Sequence, residues 1–281
     1  MNKDTNQIMT NINAYIMDGL GNNFVILDLR KEYLEINKEK IINLANKKAF
    51  LFDQLITLEK KEKENIFPIK IFNPDGIEVT ACGNGVRCIA YLIFQESNKK
   101  KILLKTTERV LNAEVIGEQN VKINMGKPKF NWEEIPLSKN IDTKKISINI
   151  VEKEYGYGFC LNVGNPHIVF FVDEIKNFDI EKIGPQIENH KMFPEKCNVT
   201  IAKVLNKNLI KVKVWERGAG LTKACGTAAC ATAFAGTLNK LTDHNTDIEF
   251  ETGKLSIFID EKNSIHMKGP VSDIKEISIK L

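Results

Sequence analysis

The 281-residue chain contains no apolar run of about 20 residues, the length a membrane-spanning helix requires, so no span is expected. Its first fifteen residues, MNKDTNQIMTNINAY, hold no continuous apolar stretch and no arginine, so neither a signal nor a transit peptide is expected. Residues 1–10 read as a polar tail outside the fold, and the cytoplasm is the expected location. Arginine is scarce: of 40 basic residues only Arg30, Arg87, Arg109 and Arg217 are arginine, and the net charge is only +4. Lysine runs such as NKKK (98–101) are short, and KKEKEN (60–65) mixes signs. A nucleic-acid surface clusters its charge and favours arginine forks, so nucleic acid is not an expected partner. There is no CxxC, no HxxxH, and the four histidines (167, 190, 244, 266) are scattered, which leaves little for a metal site. With 43% hydrophobic and 27% charged residues the composition is that of an ordinary globular protein.

Six cysteines are present, at 82, 88, 160, 197, 225 and 230. Disulfides are disfavoured in the cytosol, so these read as thiols. Most buried thiols simply fill core space. Two stand apart because the sequence repeats itself around them. A shift of 143 positions lays TACG (80–83) on KACG (223–226), Gly21-Asn22 on Gly164-Asn165, and Lys70-Ile71-Phe72-Asn73 on Lys213-Val214-Trp215-Glu216. That period is a domain length, far beyond a solenoid repeat. It implies two homologous halves, each carrying a Gly-Asn turn, a strand, and a Cys-Gly at a helix start.

Short strand candidates punctuated by turn residues lie at 24–29, 70–72, 102–108 and 121–125, and again at 145–152, 167–172, 209–216 and 254–260. After each Cys-Gly comes a segment that is apolar nearly all round, 84–97 and 227–241, predicting a buried helix wrapped by sheet. Asn84 and Thr227 stand where N-caps are expected, and Cys88 and Cys230 fall inside the helices as packing residues. A Cys ahead of a helix sees the positive end of the macrodipole and unpaired N–H groups, which lowers a thiol pKa and prepares an anion site. Two such sites related by pseudo-twofold symmetry predict one pocket with a thiol on each side. That arrangement suits proton transfer at a stereocentre, one thiolate removing the α-proton and the opposing thiol returning a proton to the other face. N–H groups aimed at the carboxylate would stabilise the developing charge. No lysine motif for pyridoxal phosphate is recognisable, so no cofactor is expected. Duplicated halves with inert buried thiols are the plainer alternative.

The strings DGLGNNF (18–24), FDQL (52–55), FNPDGIEVTACGNGVRC (72–88), GNPH (164–167), FPEKCNV (193–199) and ERGAGLTKACGTAACA (216–231) together resemble the diaminopimelate epimerase family over nearly the whole chain. The resemblance implies an α/β fold of two pseudo-symmetric domains, each a curled, mostly antiparallel sheet or barrel around a central helix, with the active site in the cleft. The expected division is 11–127 joined by a C-terminal strand in 271–281, and 128–270. It implies a pyridoxal-phosphate-independent isomerase interconverting LL- and meso-diaminopimelate for lysine and peptidoglycan precursors. Cys82 and Cys225 would be the acid–base pair. Substrate would be bound by Asn22, Gln54, Asn73, Gly83, Asn84, Asn165, Asn198, Glu216, Arg217, Gly226 and Thr227, and His167 and Glu216 would tune the thiols. Arg217 suits a distal carboxylate because its planar fork can bind both oxygens. Taken singly, an asparagine in so asparagine-rich a chain is more often a turn residue.

The chain departs from the family pattern at Asp18, Asn23, Leu221 and Ala228. Lys275 stands where some members carry a tyrosine of a dimer interface, which leaves a homodimer open. Proline racemase and hydroxyproline epimerase relatives usually read CGHG where this chain reads CGNG (82–85). A thiol redox protein pairing Cys82 with Cys225 is the rival of a different class.

Overall fold

The computed structural model describes residues 11–281 except 33, 48, 62, 64, 80, 81, 151 and 152. The polar tail, the first two residues of the TACG motif and the end of the 145–152 strand therefore lie outside the described residues. The first half runs β1 (Asn11–Asp18), β2 (Asn23–Asp28), α1 (Lys38–Ala45), β3 (Gln54–Leu58), β4 (Ile66–Phe72), β5 (Glu78–Val79), α2 (Gly83–Ser97), β6 (Lys101–Lys105), β7 (Val110–Gly117) and β8 (Asn120–Gly126). The second runs β9 (Ile146–Ile150), β10 (Lys153–Asn162), β11 (Pro166–Phe171), α3 (Ile180–Glu188), β12 (Asn198–Asn206), β13 (Leu209–Glu216), β14 (Gly220–Thr222), α4 (Gly226–Leu238), β15 (Asn245–Phe250), β16 (Gly253–Ile259) and β17 (Ile265–Pro270), with β18 (Lys275–Lys280) last. It is a mixed α/β fold, mostly strand.

Hydrogen bonding follows one open path. It passes β18–β1–β2–β3–β4–β6–β7–β8 through the first half. It crosses at the β8–β17 seam and continues β17–β16–β15–β13–β12–β11–β10–β9 through the second. The sheets curl but stay open, so barrel closure is absent among the described residues. The strand that follows the seam in each repeat pairs across to the other half: β9 follows β8 in sequence yet pairs with β10 of the second half, and β18 follows β17 yet pairs with β1 of the first.

Most pairs are antiparallel; β2–β3, β4–β6, β11–β12 and β13–β15 are parallel and need crossovers. Helices supply them on opposite faces. α1 and α3 cross outside, burying Ile41 and Leu44 of the first and Ile180, Ile183 and Ile187 of the second against the outer sheet surfaces. α2 and α4 cross inside. Every residue from Gly83 to Ile93 and from Gly226 to Gly236 is buried, which is why neither helix shows a polar stripe. One apolar core contains both central helices, from Val86, Ile89 and Ile93 through Met267 to Ala228, Ala231 and Phe234. Cys88 and Cys230 are fully buried within it, as packing residues.

Candidate functional site

The two central helices start side by side. The caps are Cys82 and Cys225 themselves, correcting the expectation at Asn84 and Thr227, which lie in the first turn. Each cysteine has extended backbone, and its sulfur accepts from the third N–H beyond it, Gly85 N and Ala228 N, both at 3.4 Å. This satisfies one orphan donor of each helix and turns both sulfurs toward the helix ends. The N–H groups of Gly83, Asn84, Gly226 and Thr227 are the remaining first-turn donors.

Both helix-start glycines pack against one methionine side chain. A Cβ on Gly83 would meet Met267 Cε at 2.5 Å, and one on Gly226 would meet Met267 Sδ at 3.0 Å. Met267, from the β17 side of the seam, thus packs against both. The two cysteines line one cavity of about 390 Å³ with Gly83, Asn84, Gly226 and Thr227.

Other predicted residues reach the same cavity from loops at strand ends. Asn22 follows a tight turn in which Gly21 takes a φ of +88°; its Oδ1 accepts from Asn84 Nδ2 at 2.6 Å. Gln54 Nε2 donates to Asn73 Oδ1 at 3.2 Å. Asn165 Oδ1 accepts from His167 Nε2 at 2.8 Å. Glu216 Oε1 accepts from Thr222 Oγ1 at 2.6 Å, and its carboxylate lies near enough to the Cys225 thiol to act on its electrostatics. Asn22, Gln54, Asn73, Asn165 and Glu216 all line the cavity.

Asn198, Arg217 and His167 do not. Asn198 is buried; it donates to Pro166 O at 2.8 Å and accepts from Arg217 N at 3.0 Å, so it holds the Arg217 backbone. The exposed Arg217 guanidinium rests on Glu195 O at 3.1 Å. His167 is fully buried and touches the cavity through Asn165. Residues that motif spacing alone did not mark also line the space, among them Phe52, Asp53, Pro74, Thr222 and Lys223. Thr222 had no signal in the repeat. Asp53 lies inside FDQL, where the resemblance marks Gln54 alone.

The electrostatics differ from the expectation of acidified thiols. Burial pushes the Cys82 thiol up to about 11, the nearby Glu216 carboxylate adding to it, against the Gly85 N–H and the Arg87 guanidinium. Cys225 is raised well above the ordinary thiol range by burial and then by Glu216. Loss of water outweighs the helix ends, so both thiols are shifted up rather than down. Glu216 is itself raised, by burial first and by Asp53, making it a stronger base than a solvated carboxylate.

Burial, with a contribution from Arg217, pushes His167 down to about 3. The ring is neutral, and Asn165 Oδ1 as acceptor sets the proton on Nε2. The unfolded chain gains this proton near pH 6.5 and the folded one only near pH 3, so stability is lost progressively as pH falls between the two. Urea unfolding of His167→Gln, which keeps a neutral hydrogen-bonding group, should lack this loss. Its stability relative to the native chain is expected to be constant above pH 7 and to improve below pH 6, by up to about 1.4 kcal/mol per pH unit. A constant difference down to pH 4 would contradict the neutral ring.

Among the described residues no three His, Cys, Asp or Glu side chains converge as metal ligands, and no helix is long and apolar enough to cross a membrane. The family model for diaminopimelate epimerase matches residues 14–131 and 159–274. A diaminopimelate epimerase of Pelagibacter ubique (strain HTCC1062) is 56% identical over 273 residues, 96% of this chain and 99% of the relative. Another, from Wolbachia, is 38% identical, spanning 91% and 95%. Among solved structures, a hydroxyproline epimerase from Agrobacterium vitis superposes with a TM-score of 0.67 at 8% identity, covering 96% of this chain and 93% of that one. At that identity the likeness is one of fold. The match to the family model over both halves and the full-length relatives agree with the paired Cys-Gly helix starts: this chain belongs to the diaminopimelate epimerase family of isomerases.

Proposed function

We propose that the protein interconverts LL- and meso-2,6-diaminopimelate without pyridoxal phosphate, passing protons between the substrate α-carbon and Cys82 and Cys225. The observation that carries this reading is the shared cavity with one cysteine from each half, each capping a buried helix. In the proposed reaction one sulfur, as thiolate, takes the α-hydrogen as a proton and leaves the electron pair on the α-carbon and its carboxylate. The other thiol then gives its proton to the opposite face, so the configuration inverts and the two sulfurs exchange protonation states. The carboxylate is held by the backbone donors of Gly83, Asn84, Gly226 and Thr227, which stabilise the enediolate-like charge as it forms.

A resting thiol must first be ionised. Glu216, close to Cys225 and raised above the usual carboxylate range by burial, supplies the base for that sulfur. His167 serves the site by orienting the Asn165 amide. Asn22, Gln54 and Asn73 offer polar groups to the backbone and ammonium groups of substrate, with Asn22 also fixing Asn84. Arg217 turns from Glu195 O to take the distal carboxylate, its backbone held by Asn198. The same reading divides the chain into 11–127 with 271–281, and 128–270, supported by the β8–β17 seam and the exchanged strands. It also places the protein in the cytoplasm, on the route to lysine and peptidoglycan precursors.

The test is incubation with LL-diaminopimelate in heavy water under reducing conditions. The expected result is deuterium at the α-carbon together with the meso isomer, by NMR and chiral chromatography. Neither product, or turnover of proline in place of diaminopimelate, would overturn the proposal.

A further inference from the structure

Outside the cavity, one buried acid is unused by the reaction above. Glu188, the last residue of α3, has 5% of its surface exposed. A carboxylate there faces the negative end of its own helix and has lost most of its hydration, both of which disfavour it. The cation nearest to it among the described residues is Lys196, 4.0 Å away and half exposed, too distant and too solvated to compensate.

Compensation comes from a single turn. Glu188 Oε2 accepts from Trp215 Nε1 at 2.7 Å, and Oε1 accepts from the Gly218 backbone N–H at 2.9 Å. These donors bracket Glu216 and Arg217. The packing is made for this contact: a Cβ on Gly184, one turn earlier in α3, would lie 2.6 Å from the Trp215 ring, so only glycine lets the indole lie on the helix. Gly218 takes a φ of +75°, a conformation that L side chains adopt with strain, and this turns its N–H toward the carboxylate.

We propose that Glu188 is a positioning residue that clamps the 215–218 turn and so presents Arg217 to the distal carboxylate of the substrate. This rests on the reading in the preceding subsection and extends it to a residue outside the cavity. Glu216 is held separately by Thr222, so loosening the clamp frees Arg217 more than it disturbs the base. Substrate affinity should therefore suffer and the chemical step should not.

Glu188→Gln keeps the volume but offers one acceptor where two donors need one each. Steady-state assay is expected to show KM for diaminopimelate raised about tenfold to a hundredfold, with kcat within about threefold. Binding of lysine, which is diaminopimelate without the distal carboxyl, should change by less than about twofold. Lys196→Gln should match the native chain. In heteronuclear NMR the Trp215 indole N–H should move and exchange faster in Glu188→Gln than in the native protein. Equal losses in KM and kcat, or equal weakening of lysine and diaminopimelate, would overturn the positioning role. If the native chain fails to epimerise diaminopimelate, the reading of the reaction falls separately; an unmoved indole signal in Glu188→Gln would then overturn the clamp, and a moved one would support it.

Discussion

Cys225→Ser is expected to interconvert LL- and meso-diaminopimelate about 10³-fold or more slowly than the native chain, with an unchanged urea midpoint. Serine is the informative replacement because the cysteine does two jobs. Its sulfur caps α4 through Ala228 N and lies 3.4 Å from Thr227 Oγ1. Alanine would remove both contacts and cost about 0.5–2 kcal/mol of helix stability, mixing a folding loss with the chemical one. A hydroxyl keeps the cap, yet its far higher pKa removes it as a proton carrier. Cys82→Ser should behave alike, since Cys82 caps α2 in the same way.

The two variants should also differ in one respect. Each retains a thiol on one face, so each should still wash deuterium into the α-position of one stereoisomer while failing to convert it. The isomer that exchanges should switch between the variants. Full-rate epimerisation by either would show that its sulfur carries no proton, and exchange of the same isomer by both would exclude the two-sided arrangement.

Arg87 gives the second large effect, and on stability. Its guanidinium is completely buried, on the second turn of α2. No carboxylate pairs with it among the described residues. It has a long contact to Pro270 O at 3.4 Å and one to Met267 Sδ at 3.7 Å, while Nη2 has no partner. Burial accordingly pulls its pKa below the ordinary arginine range. A charge desolvated with so little in return costs stability, whereas its length fills space: Gly269 lies against it so closely that a Cβ would sit 3.0 Å from Cζ.

The two properties separate by substitution. Arg87→Met removes the charge and keeps most of the volume, and is expected to be neutral or to stabilise by up to about 4 kcal/mol. Arg87→Ala leaves a cavity at the seam beside Met267 and should destabilise by about 2–5 kcal/mol. Urea midpoints for the three proteins check this. If methionine proved as damaging as alanine, the charge would be contributing favourably, and its field on Cys82 would be the first place to look.

Much of the site was legible because duplication leaves a trace that one sequence can display. The constant shift of 143 paired Cys82 with Cys225, Asn22 with Asn165 and Asn73 with Glu216, and all six line the cavity. It missed the pairing of Gln54 with Asn198. In the structure Gln54 sits beside Phe24 in β2–β3, and Asn198 beside His167 in β11–β12, an equivalent place. The second half carries one extra residue between those strands, so the shift there becomes 144. A strict period cannot find what one inserted residue has displaced.

Strands were read unevenly for a related reason. Those with alternating burial, such as β13, announced themselves, whereas β3 is short, covered on both faces and without a clear period. The caps were misplaced by two residues because cysteine is not among the usual capping residues, although its sulfur does the same work here. The direction of the thiol pKa shift was misread because a helix end is visible in sequence and desolvation is not.

The chain by itself determined that two Cys-Gly pairs begin two apolar helices in duplicated halves, since glycine, capping and hydrophobic pattern act over a few neighbouring residues. Tertiary structure alone decided that these helix starts share one cavity, that burial there shifts both thiols upward, and that Glu188 reaches across from α3 to the Arg217 turn. Those outcomes depend on the β8–β17 seam, on strands exchanged between halves and on the exclusion of solvent. Each joins residues far apart in the chain, where local preference carries no information.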